Sequence, residues 1–174
     1  NSLTEIHIGD NANLQHYRLN LEEEQAQHIG AVHVDLQRNA RLRGFAIALG
    51  ASLMRIDYQL NHRGQGAELD LQGVYVPRNN QLVDYHTNVC HWVPHCRSNE
   101  IFRGIVGDSA QAIFNGRIYI HPQAQKTLAE LSNKNLLTSN KAEVNTKPEL
   151  EIYADDVKCA HGATVSQLNT NARY

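Results

Sequence analysis

Residues 90–96, CHWVPHC, place two cysteines and two histidines within seven positions. Cysteine and histidine are the usual ligands of zinc and of other borderline metals. A zinc site needs four donor atoms converging to within about 2.0–2.3 Å of one point. On an extended strand, neighbouring side chains point to opposite faces. Cys90 and Cys96 would then share one face and His91 and His95 the other. At about 3.3 Å per residue the two cysteines would also stand nearly 20 Å apart. Only a sharp turn at Val93-Pro94 could gather them, and two adjacent Cys-His pairs chelate poorly. No second C-x2–4-C pair occurs elsewhere. Cys90, His91, His95 and Cys96 therefore read as a strand, a proline-marked turn and packed thiols beside Trp92, not as metal ligands.

Residues 158–162, KCAHG, carry a quieter signal. On a strand Cys159 and His161 share a face, about 7 Å apart between Cα atoms. A thiolate and an imidazole on one face suit iron or the edge of an iron–sulfur cluster. Gly162 has no side chain and lets a partner backbone approach. Alone, a C-x-H pair is a weak signal, because cysteine is most often simply buried. Other chemistry is missing from the chain: there is no G-x-S-x-G elbow, no Walker loop and no G-x-G-x-x-G. Asp57 and Asp70 could form a carboxylate pair for glycan chemistry, but each reads as a solvent-facing strand acid. His7, His16, His28, His33, His62, His86 and His121 are scattered and read as structural or surface residues.

The elements that must position these groups are strands. Period-two alternation of apolar and polar residues marks 6–9, 31–37, 45–49, 53–60, 67–76, 81–89, 100–106, 112–120 and 150–159. Gly, Asn and Asp punctuate the runs. Several strands hold an internal glycine, which suggests bends or bulges. Helical spacing is thin: 122–137 could hold one helix or a loop, and 19–27 reads equally as a strand turn or a helix turn. The dipeptides that close tight hairpins are rare, with only Asn115-Gly116 present. That shortage favours parallel coils over hairpins. No clean repeat length emerges, so sandwich, barrel and solenoid all remain open on pattern alone.

The 174 residues suffice for one domain with a sizeable core. A net charge of −2 gives no pull toward nucleic acid or an anionic membrane. No apolar run approaches the roughly 20 residues that span a bilayer. Three cysteines do not make a disulfide framework, and a reducing cytosol fits them best. The chain begins at Asn1 and its single methionine is Met54, so it reads as a fragment or a processed piece.

The segment KPELEIYADDVKCAHGATV, 147–165, resembles the signature of the SufB/SufD family of iron–sulfur cluster assembly proteins, and within it the SufD branch. VDYHT, HWVPHCRS, IFRGIV, AIFNGRI and the tract from Asn133 follow the same pattern in order, over roughly 40–165. The resemblance implies an all-β fold, a right-handed parallel β-helix or solenoid, and one core domain over 1–174. It also implies that helical regions flank this core in the family. It implies a cytoplasmic scaffold subunit rather than an enzyme. Its partners would be a SufB-type paralogue and, for the full-length protein, a SufC-type ATPase, with a second copy of the core as the other candidate. The cluster would be transient and shared with the partner, and no resident cofactor is expected in the isolated chain. The family's functional histidine falls on His161, with Cys159 beside it in the motif.

A solenoid end exposes unpaired strand edges, which invite strand addition. The last strand, read as running from Leu150 and Ile152 to Val157, is therefore the expected interface, with Gly162 leaving room for the partner. Two other readings compete: a β-helix carbohydrate-active enzyme, and a solenoid module with no site.

Overall fold

The structure, a computed structural model, describes residues 1–168. Twelve strands alternate between two parallel sheets and wind into a β-solenoid of about 6 turns. The first sheet runs β1 (Ser2–Ile8), β3 (Gln27–Leu36), β5 (Leu53–His62), β7 (Leu82–His91), β9 (Gln111–Ile120) and β11 (Glu143–Ile152). The second runs β2 (Asn13–Asn20), β4 (Arg41–Ala48), β6 (Glu68–Tyr75), β8 (Arg97–Val106), β10 (Leu128–Leu137) and β12 (Lys158–Gln167). Every pairing is parallel and joins a strand to the one a full turn away. No hairpin is built among the described residues, in keeping with the scarcity of hairpin dipeptides.

The repeat eluded the sequence because its length drifts. Leu53 aligns with Leu82 and Leu82 with Gln111, steps of 29 residues. Gln27 to Leu53 is a step of 26, and Gln111 to Glu143 a step of 32. The variation sits in the corners, where chain length is cheap to change. In the first five coils one corner is turned by a residue in the left-handed region: Asn11, Asn39, Gly66, His95 and Lys126, with φ of 60°, 53°, 75°, 62° and 60°. Asparagine and glycine tolerate that region best. The corner asparagines also bond up the stack, Asn39 Nδ2 donating to Asn11 Oδ1 at 3.0 Å.

Inward residues from the two sheets meet in one core, centred on Tyr75, Tyr85, Phe102 and Phe114. Their rings pack at a tilt, with centroids 5.4 Å apart between Tyr85 and Phe102 and 4.8 Å between Phe102 and Phe114. The strand glycines serve this core instead of bending the strands. A Cβ on Gly73 would lie 2.2 Å from the Phe102 ring, and one on Gly104 would lie 2.2 Å from Tyr75.

Two segments that the sequence left open are resolved without a helix, and one strand reading is corrected. There is no helix among the described residues, and 122–137 is a corner followed by strand β10. The stretch 19–27 is the end of β2, a corner and the start of β3. Residues 150–159, read as one strand, break at 153–157 into a corner between β11 and β12. The period-two alternation breaks within this corner, where Ala154 and Val157, three residues apart, both turn into the core. Asp155 and Asp156 therefore sit on the corner, not on opposite faces of a strand. No helix among the described residues is long and apolar enough to cross a membrane.

Candidate functional site

The corner at 153–157 is pinned to the level before it. Tyr153 N–H donates to Ile120 O at 3.0 Å and Asp156 N–H to Gln125 Oε1 at 2.9 Å. Lys126 bonds Asp156 through both its backbone N–H and its ammonium group. Lys158 N–H then donates to Thr127 O at 2.9 Å, which sets the register of β12 against β10. Cys159 aligns with Ala129 and His161 with Leu131. Ala129 and Leu131 are core residues, so Cys159 and His161 occupy the inward-facing positions of the last coil.

The two side chains share a face as expected, but their settings differ. Cys159 is half-buried against the core, and burial pushes its thiol up to about 11. It is a protonated, weakly nucleophilic group at neutral pH unless a metal displaces the proton. His161 is exposed. Across the last coil, Leu150 is half-buried on β11, Ile152 at the end of that strand is 40% exposed, and Val157 packs on the core from the corner. Gly162 lies on the outer register of β12, and a Cβ there would meet nothing within 4 Å. Among the described residues no strand pairs with the free edge of β11 or of β12. Nor does any group of three or more His, Cys, Asp or Glu converge as a metal-binding set among them. Cys159 and His161 thus offer two donors, half of a four-ligand site, at an open end.

CHWVPHC wraps a corner. Cys90 packs toward the outer face of β7, between Gln59 and Asn88. His91, one residue on, is fully buried on the inner face, its Nε2 2.9 Å from Ser98 Oγ. His95 supplies the left-handed turn residue, and Cys96 is buried with its thiol toward Gly64 O. The four residues point four ways.

Sequence reasoning missed the buried polar groups. His62 and His91 stack in the core with ring centroids 4.1 Å apart. Burial holds His62 down at about 4 and lowers His91 well below the ordinary imidazole value, so both are neutral. Glu100 is fully buried, and desolvation pushes its carboxyl up to about 7. Neither Glu100 oxygen has a hydrogen-bond partner. A one-turn step of 29 residues links His62 to His91, a signal visible only once the register is known.

A family model described as the SUF system FeS cluster assembly SufBD core domain matches residues 1–174. The chain belongs to the SufBD core family. An iron–sulfur cluster assembly SufBD family protein of Synechocystis is 35% identical over 171 residues, 98% of this chain and 38% of that protein. The iron–sulfur cluster assembly protein SufD of Escherichia coli is 36% identical over 164 residues, 94% of this chain and 39% of that protein. The chloroplastic protein ABCI7 of Arabidopsis thaliana is 31% identical over 175 residues. This SufBD core thus spans 38% and 39% of the length of the first two relatives. Membership ties the chain to the SUF system of iron–sulfur cluster assembly.

Proposed function

We propose that this SufBD core is the scaffold part of a subunit that pairs with a SufB-type paralogue and presents a nascent iron–sulfur cluster between the two. The cluster is cargo, held transiently and shared, and the subunit has no turnover of its own. A SufC-type ATPase engages the full-length protein. One observation carries the reading: among the described residues no strand pairs with the free edges of the last coil, and Cys159 and His161 share its inward register. A two-donor half-site at an uncapped solenoid end is completed by ligands from a second chain. His161 is the exposed donor of the pair, whereas the half-buried Cys159 thiol must lose its proton before it binds a metal.

The test is His161→Ala in the full-length protein, co-expressed with its partners and reconstituted anaerobically with iron and sulfide. The expected result is an intact complex with cluster formation reduced at least ~10-fold, and a smaller loss for Cys159→Ala. Normal cluster content in the His161→Ala complex would refute the assignment.

A further inference from the structure

The outer faces of the two sheets differ in kind. On the first sheet the outward side chains of β5 and β7 are polar and bond to one another. Arg55 donates to Asp57 at 3.1 Å and to Asp84 at 3.0 Å, and Asn88 Nδ2 donates to Gln59 Oε1 at 2.7 Å. On the second sheet the C-terminal halves of β2, β4 and β6 carry apolar side chains outward. Tyr17 stands beside Phe45, with ring centroids 6.5 Å apart. Leu19 stands beside Ile47, and Ile47 beside Val74. Tyr17 is 66% exposed and Leu19 61%. Ile101 and the exposed Ile105 extend the face onto β8.

This half of the second sheet is therefore apolar on both faces. Strand β4 and the residue after it read FAIAL, with Ala46 and Ala48 in the core and Phe45, Ile47 and Leu49 outward. Continuous apolar runs of this kind belong to parallel sheets that are covered on both sides, and a contiguous exposed apolar area marks a contact surface. The N-terminal halves of the same strands are charged, with Arg41 and Arg43 on β4 and Glu68 and Asp70 on β6, so the area ends at a polar rim.

The face itself dictates what can cover it. Strands β4, β6 and β8 are each paired on both sides, so they present side chains and no free edge. A covering segment must satisfy its own N–H and C=O groups, and an α-helix does so. From β2 to β8 the face spans about 14 Å at about 4.8 Å per strand, which roughly ten residues, or three turns of helix, would match. The chain matches 38% and 39% of the first two relatives, so the greater part of each lies outside the match. A helix in the same chain also docks without the loss of translational freedom that a separate partner meets.

We propose that an amphipathic α-helix from the part of the full-length chain outside residues 1–174 lies across the outer face of the second sheet, over Tyr17, Leu19, Phe45, Ile47 and Val74. The experiment places the photo-crosslinker p-benzoylphenylalanine in the full-length protein, in place of Tyr17 in one variant and of Ile47 in another. Irradiation should give crosslinks within one chain, to a segment outside 1–174, at acceptor positions three or four residues apart. His33, exposed on the polar face of the first sheet, is the control position and should not reach that segment. Crosslinks that join two copies, that reach another protein or that fall only within 1–174 would overturn the inference, as would none from either position or the same crosslinks from His33. In the full-length Leu19→Asp/Ile47→Asp variant the β-sheet circular dichroism should be kept, while protease cleavage of the crosslinked segment rises about 10-fold. Unchanged cleavage there would also overturn it.

Discussion

Replacing Glu100 with Gln should stabilise the protein in alkaline solution and do little in acid. Glu100 sits on β8 between Leu71 of β6 and Leu131 of β10, on the inner face. It is fully buried and both carboxyl oxygens lack partners, as does Thr87 Oγ1 on the facing sheet. Desolvation holds the carboxyl at about 7 instead of 4.5, against a smaller opposing pull from the Thr87 hydroxyl, which approaches the carboxyl without meeting hydrogen-bond geometry. Below pH 4 the group is protonated in both folded and unfolded chains, so it contributes no pH-dependent term. Between 4.5 and 7 the unfolded chain loses its proton while the folded chain keeps it, and stability falls. Above pH 8 the full cost applies, about 3 kcal/mol from the difference between 4.5 and about 7. Gln has nearly the same shape and cannot ionise. Urea unfolding followed by the fluorescence of Trp92, the one tryptophan, measures both proteins at pH 5 and pH 8.5. The gain of Glu100→Gln over the parent should be larger at pH 8.5 by about 2–3 kcal/mol. A gain that is the same at both values would mean that Glu100 is already charged or solvated in the fold, and the desolvation argument would fail.

The buried imidazoles act in the opposite direction. Below pH 6.5 the unfolded chain takes up a proton that folded His62 refuses until about pH 4, so stability should fall across that window, and His62→Gln should flatten the fall in urea titrations. Gly73→Ala would drive a Cβ to 2.2 Å from the Phe102 ring and should cost about 1–3 kcal/mol in the same assay, with the β-sheet circular dichroism retained. An unchanged midpoint would show that Phe102 has room to move.

Strand content and the scarcity of hairpins were legible in the sequence because each is local. Alternation reports that one face of a segment is buried, and glycine or asparagine reports a turn. The inward pairing of Cys159 with His161 follows from a two-residue spacing on any strand. What lies across the fold was not legible. The corner at 153–157 was hidden in a run of apolar and acidic residues that resembles a strand, and only the fold shows that Ala154 and Val157, three residues apart, both turn into the core. Gly73 and Gly104 looked like bends until Phe102 and Tyr75 supplied the rings they accommodate. His62, His91 and Glu100 have the polarity of surface residues, and only the register of coils 26 to 32 residues long carries them inside. The stack of Trp92 on Tyr119 and of Tyr119 on Tyr153, with ring centroids 5.4 and 5.6 Å apart, has the same origin. Its members are separated in sequence by whole turns of the solenoid and become neighbours only when the coils stack. Backbone geometry is written residue by residue, whereas burial and stacking depend on how long each coil happens to be.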